Sequence, residues 1–347
     1  MIVSPFEFST IILIGLAAAA LKVGFVSKST GDDWVSELII EQQTLQSSIL
    51  LDKSVIPLRF YYPPLHYFLI SLFKREKIIL VGLLFNLFYD FVSAVIVFAI
   101  SKWYYTHSGY QNSDYLALMS MSLFAFSPLL TPVHARIMGL KSRSLGTLIS
   151  ILYFSSLYFA LITDNLFFYS LSVLFGLAAI TASQFSYQAI AFITLLISML
   201  CLSPKPIYIL FTVILIGSQI PALDLGNLIK NKIAHFSWYL KTLDTTSIAH
   251  RGPIRSLKLA LRFRKKIGLL SFFNILMSMN PIFIALISVP LLPIIAILLI
   301  LHPESLLYLL KLHEFRIAFI FIVAGLIVFL ITSARPFVVA GEAERYI

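Results

Sequence analysis

Residues Arg59–Phe73 read "RFYYPPLHYFLISLF" and run directly into Lys74–Lys77, "KREK". A doubled proline fixes two backbone φ angles and turns the residue before it away from helical geometry, so Pro63-Pro64 is a rigid entry to whatever follows. The apolar run Leu65–Phe73 rises only about 14 Å as a helix, under half of the roughly 30 Å hydrocarbon core of a bilayer. It is expected to be a juxtamembrane or re-entrant helix and not a crossing.

The surrounding chain belongs in a membrane. Of its 347 residues 59% are hydrophobic and 12% charged, with a mean hydropathy of +0.93; soluble domains carry roughly 25% charged residues. Apolar runs fall at Ser9–Val26, Ile78–Ile100, Leu116–Thr131, Leu145–Thr163, Asn165–Ala182, Tyr187–Leu202, Ile207–Ala222, within Ile267–Leu301, and at Phe315–Ser333. They predict an all-α, polytopic bundle of about nine spans. The stretch Ile267–Leu301 holds one span or two, since Asn280-Pro281, Pro290 and Pro293 offer places to break it. The N-terminus lacks a basic n-region and an A-x-A-like cleavage site, so the first run is expected to stay as an anchor. The single cysteine, Cys201, excludes an intrachain disulfide.

The apolar pattern divides the chain into a transmembrane module over 1–222, with a first loop at 27–64 and the short helix at 65–73. A basic amphipathic loop follows at 223–268, then C-terminal helices and a tail over 269–347. The first loop is acidic, with Asp32, Asp33, Glu37, Glu41 and Asp52 against Lys28, Lys53 and Arg59. The later one carries ten of the 26 Lys and Arg, between Asp224 and Gly268. In "GPIRSLKLALRFRKKIG" Ile254, Leu257 and Leu261 share one helical face while Arg255, Lys258 and Arg262 share another. That is the pattern of a helix lying in the membrane interface, and it favours anionic lipid headgroups or phosphates over nucleic acid as partners.

Four motifs in order resemble the GT-C-fold integral membrane glycosyltransferases, which use polyprenyl- or dolichyl-phosphate sugars: protein O-mannosyltransferases, lipid A aminoarabinose transferases and their relatives. They are "GDDW" at Gly31–Trp34, "YYPPLHYFLISLF" at Tyr61–Phe73, "LLFNLFYDFVSA" at Leu83–Ala94 and "FSPLLTPVHARIMGLKSRSLGTLISILY" at Phe126–Tyr153. The likeness covers roughly Thr10–Ala160, and "RPFVVAGEAERYI" at Arg335–Ile347 is similar to a further family segment. Prokaryotic relatives often carry His four residues after the first-loop Asp, where this chain has Glu37. Relatives tend to continue past the final motif, so the chain is expected to be a shortened version or a fragment.

The resemblance implies an inverting transfer of one sugar to an acceptor hydroxyl at the extracytoplasmic face of the cell membrane. A departing lipid phosphate is already an anion and needs no general acid, so one carboxylate suffices to take the acceptor's proton. By resemblance that base is Asp33, with Asp32 the alternate; Glu37 stands one helical turn from Asp33. Tyr62, Pro63 and Pro64 support the loop. Arg136, Lys141 and Arg143, clustered with His134, are candidates to hold the donor phosphate, because an arginine fork matches phosphate oxygens. Arg255, Lys258 and Arg262 are candidates for donor phosphate or lipid. Asp90, mid-span with Asn86 and Ser93 a turn to either side, is either functional or a hydrogen-bonding hub between helices. His66 is either a packed histidine or, with Asp33, a ligand to a divalent metal such as Mg or Mn. Glu342 and Arg345 join from the tail. The acceptor class stays open among glycan, lipid and protein.

If Leu65–Phe73 does not cross, parity puts the acidic loop, the Arg136–Arg143 connection, the basic loop and the tail on one face, opposite the N-terminus. That arrangement fits the family but opposes the positive-inside rule. Two other classes remain open. One is a transporter or flippase of a lipid-linked saccharide, whose signature is paired broken helices with several intramembrane charges; the sequence shows one such charge plainly, Asp90. The other is an inactive or accessory subunit of a glycosylation complex.

Overall fold

The computed structural model describes residues 4–26, 37, 39–41, 44, 63–126, 140–223, 225–242, 252–288, 297, 300–301, 303–334 and 337. Among them the chain is helical, with no strand. The bundle is built from α1 (Pro5–Val26), the short α2 (Leu65–Ser71), α3 (Ile78–His107), α4 (Ser113–Phe126), α5 (Arg143–Thr163), α6 (Leu166–Ala182), α7 (Gln184–Cys201) and α8 (Lys205–Gln219). There follow α9 (Leu225–Thr242), α10 (Pro253–Ile267), α11 (Leu269–Met279), α12 (Pro281–Ser288), α13 (Pro303–Lys311) and α14 (His313–Ser333).

Among the described residues five segments are long and apolar enough to cross a membrane: Pro5–Val23, Arg75–His107, Arg143–Thr163, Gln184–Cys201 and His313–Ser333. Helices α4, α6 and α8 are apolar but shorter. Large apolar side chains such as Leu13, Leu16, Leu84, Phe88, Phe211 and Leu330 stand more than half exposed on the flanks, an arrangement suited to lipid contact and costly in water.

Local chemistry sets the ends of these helices. Ser4 and Glu7 form a reciprocal capping box on α1: the Glu7 amide donates to Ser4 Oγ at 3.2 Å and the Ser4 amide to Glu7 Oε2 at 2.6 Å. Helix α5 stops at Asp164, in left-handed conformation with φ 50°, and Asn165 then caps α6 by accepting from the Phe167 amide at 2.9 Å. Ser183 caps α7 in the same way, from the Phe185 amide. In the stretch Ile267–Leu301 no described helix reaches spanning length. Asn280-Pro281 breaks it between α11 and α12, where Asn280 Oδ1 accepts from the Phe283 amide at 3.1 Å.

Cross-helix contacts fix direction. Lys22 pairs with Asp90 and Glu7 with Lys102, so α1 and α3 run antiparallel. Tyr153 and Thr194 share a buried hydrogen bond of 3.0 Å, and a Cβ on Gly146 would lie 2.4 Å from Ser183 Cβ, so α5 and α7 run parallel. Tyr158 reaches the Glu314 carbonyl near the start of α14, while Ser333 at its finish lies beside Gly252. The bundle therefore has a first end carrying Pro5, Asp164 and Glu314, and a second end carrying α2 and the starts of α3, α5 and α7. Helix α2 packs on α3 at that second end, Tyr67 and Ile70 being buried with Leu140, Ile39 and Ile40.

Candidate functional site

Buried charges and buried neutral polar groups are treated differently. Among the described residues the buried charges Glu7, Lys22 and Lys102 are paired. Lys102, 8% exposed, contacts Glu7 Oε1 and sits 3.0 Å from Asp114 Oδ1. In the half nearer the second end Lys22 Nζ meets Asp90 Oδ2 at 2.8 Å.

Towards the second end several buried polar atoms find no hydrogen-bond partner among the described residues: the Tyr89 hydroxyl, Ser144 Oγ, both amide atoms of Gln188 and Ser333 Oγ. These side chains come from α3, α5, α7 and α14, each from the half nearest the second end. Tyr89, Leu145, Leu148, Ile149, Ala189 and Ile190 belong to one packed cluster, with Leu65 against it, so His66 and Gln188 border the same core. A buried polar group without a partner costs roughly 1–3 kcal/mol.

His66 is fully buried, its ring edge-on to Tyr67 at 5.7 Å and to Tyr89 at 5.9 Å between centroids. Burial pushes its pKa down to about 4, against a smaller upward pull from the Leu140 backbone, so the ring is neutral near pH 7 and offers one donor and one acceptor. Pro63 and Pro64, also buried, lead into α2 without a side-chain cap. Lys141 and Arg143 stand at the mouth of α5, both half-buried, with the Arg143 guanidinium 6.0 Å from the Phe185 ring centroid.

Other expected site residues fall elsewhere. Asp32, Asp33, Tyr62, Arg136, Glu342 and Arg345 lie outside the described residues. Glu37 is helical and exposed. Arg255, Lys258 and Arg262 are exposed on α10. Asp90 is no isolated charge: Lys22 holds it, while Ser93 turns its hydroxyl back to the Tyr89 carbonyl at 2.8 Å. Sequence reasoning missed Lys22, Glu7 and Lys102, because each lies near the edge of an apolar run and reads there as a flanking charge. The signal was present as sign order: acid then base along α1 (Glu7, Lys22), and acid then base along α3 (Asp90, Lys102), which match when the helices run antiparallel. Among the described residues no group of three His, Cys, Asp or Glu could hold a metal ion. No protein-family model, curated protein or solved structure matches the chain.

Proposed function

We propose that this chain is a multi-pass membrane glycosyltransferase acting at the second end of its bundle, placed at the extracytoplasmic face. It moves a single sugar from a polyprenyl phosphate to an acceptor hydroxyl with inversion. Asp33 takes the acceptor's proton as its oxygen bonds to the anomeric carbon; the bond from that carbon to the phosphate oxygen breaks, and the lipid phosphate leaves as an anion, steadied by Arg136, Lys141 and Arg143.

One observation carries this reading. The finish of α1, the short helix behind Pro63-Pro64 and the cations at the start of α5 all lie at the second end. At that same end Tyr89, Ser144 and Gln188 present neutral hydrogen-bonding groups without a partner among the described residues. A sugar's hydroxyls are the chemistry such groups complement. A divalent metal enters only through Asp33 and His66.

The buried charges of α1 and α3 favour a second reading, a transporter or flippase of a lipid-linked saccharide, since intramembrane charges mark such pathways. Their complete pairing weighs towards a structural role. Mass spectrometry of lipids that copurify with the protein separates the two. A polyprenyl phosphate bearing one sugar supports the transferase; a polyprenyl-linked oligosaccharide, retained without turnover on any acceptor, supports the transporter.

A further inference from the structure

Helix α10, Pro253–Ile267, carries Arg255, Lys258, Arg262, Arg264, Lys265 and Lys266 and no carboxylate; between Thr245 and Pro303 the chain has seven Lys and Arg and no Asp or Glu. Cations in the last turn suit the helix dipole. Arg255 and Lys258 do not, for they lie in the first half of a helix whose first turn contains no acid.

Three faces of α10 are distinct. Ser256 and Ala260, four residues apart, are fully buried, holding the helix to the protein. Asn280 Nδ2 donates to the Pro253 carbonyl at 3.1 Å, and Gly252, at φ 114°, lets the chain pass beside the Ser333 carbonyl. These contacts dock the start of α10 at the second end. A second face presents Ile254, Leu257 and Leu261, exposed by 70%, 42% and 45%. Lys258 and Arg262, one turn apart and exposed, form the third, beside the apolar one. An apolar stripe facing outward next to a cationic stripe, on a helix tied down by its remaining face, fits the boundary between acyl chains and headgroups.

We infer that α10 is an interfacial anchor that recruits anionic phospholipid headgroups of the surrounding bilayer to the second end. The inference needs only that the protein resides in a membrane, so it stands or falls separately from sugar transfer. It also separates α10 from the donor-phosphate site: a headgroup surface recognises point charges spread along a stripe, whereas a built phosphate site uses the guanidinium fork.

The test uses the full chain reconstituted in phosphatidylcholine with trace spin-labelled lipid, reading the motionally restricted fraction by electron spin resonance. Spin-labelled phosphatidylglycerol should be preferred over spin-labelled phosphatidylcholine, and raised salt should erase the preference. Replacing Lys258, Arg262 and Arg264 by Gln should lower it by about five-fold for each cation that faces the headgroups. Arg262→Lys with Arg264→Lys should leave it intact. Three results would each overturn the inference: no preference in the wild-type chain, an undiminished preference in the Gln variant, or loss in the Lys variant together with displacement by inorganic phosphate at constant ionic strength. Should the Gln variant fail to fold, the wild-type salt titration and the Lys variant still decide the matter.

Discussion

Lys22 Nζ lies 2.8 Å from Asp90 Oδ2, with the side chains 5% and 17% exposed, so the carboxylate most conspicuous in the sequence is one half of an ion pair tying α1 to α3. In low dielectric the attraction of such a pair roughly offsets the desolvation of both charges, but removing one partner strands the other. Asp90→Asn should therefore lower stability by about 3–5 kcal/mol, and the double change Lys22→Met with Asp90→Leu should recover most of it. Thermal unfolding of the purified variants in detergent reads the effect; an Asp90→Asn protein as stable as wild type would contradict it.

His66 gives stability a pH dependence of known sign. Its folded pKa is depressed to about 4, below the ordinary value of about 6.5. The neutral ring thus favours the folded state fully above about pH 6.5, and the contribution disappears as pH falls from there to about 4, by about 3 kcal/mol at most. His66→Gln should flatten the pH profile of unfolding in that window. An unchanged slope would show that the imidazole is not held neutral.

Gly146 is a point of close approach between α5 and the start of α7, with a built Cβ 2.4 Å from Ser183 Cβ and 2.8 Å from Ser183 Oγ. In an open helix Gly→Ala stabilises by about 1 kcal/mol. Here Gly146→Ala should destabilise by about 1–3 kcal/mol through overpacking. Adding Ser183→Gly, which weakens the α7 cap by only a few tenths of a kcal/mol, should restore the loss. The opposite sign for Gly146→Ala would mean the two helices are not in contact there.

Topology can be read with cysteines at Ser54 and Ser113 in a Cys201→Ser background. Ser113 opens α4 at the first end, while Ser54 lies in the segment between α1 and α2. An impermeant thiol reagent should label them from opposite faces. Labelling from one face would make Leu65–Phe73 a crossing.

Much of the fold was legible because apolar runs of spanning length leave a chain few choices in lipid. Eight of the expected runs reappear as helices, and the short α2 behind Pro63-Pro64 packs beside α3 as its length requires. Boundaries were less legible. Helix α3 continues past Ile100 to His107, because Lys102 is satisfied by Glu7 and Asp114, partners distant in sequence. In Ile267–Leu301 the hydropathy resembled a span, yet Asn280 and Pro281 break it directly after the 11 residues of α11. The orphaned groups of Ser144 and Gln188 carried no local signal, since a lone Ser or Gln in an apolar helix reads as filler until its neighbours are known.

The central claim is that Asp33 is the base for sugar transfer, and the most direct test is turnover from a polyprenyl-phosphate sugar by wild type, Asp33→Asn, Asp32→Asn and Asp90→Asn, each purified and checked for folding. Asp33→Asn keeps the shape of the side chain and removes its basicity, so turnover should fall by roughly 10² to 10⁴ while donor binding persists. Asp90→Asn should retain more activity and lose mainly stability. Near-normal turnover by Asp33→Asn would contradict the assignment; if Asp32→Asn failed in its place, the base would be the neighbouring carboxylate, and if wild type transferred no sugar from any polyprenyl phosphate, the transferase reading itself would fall.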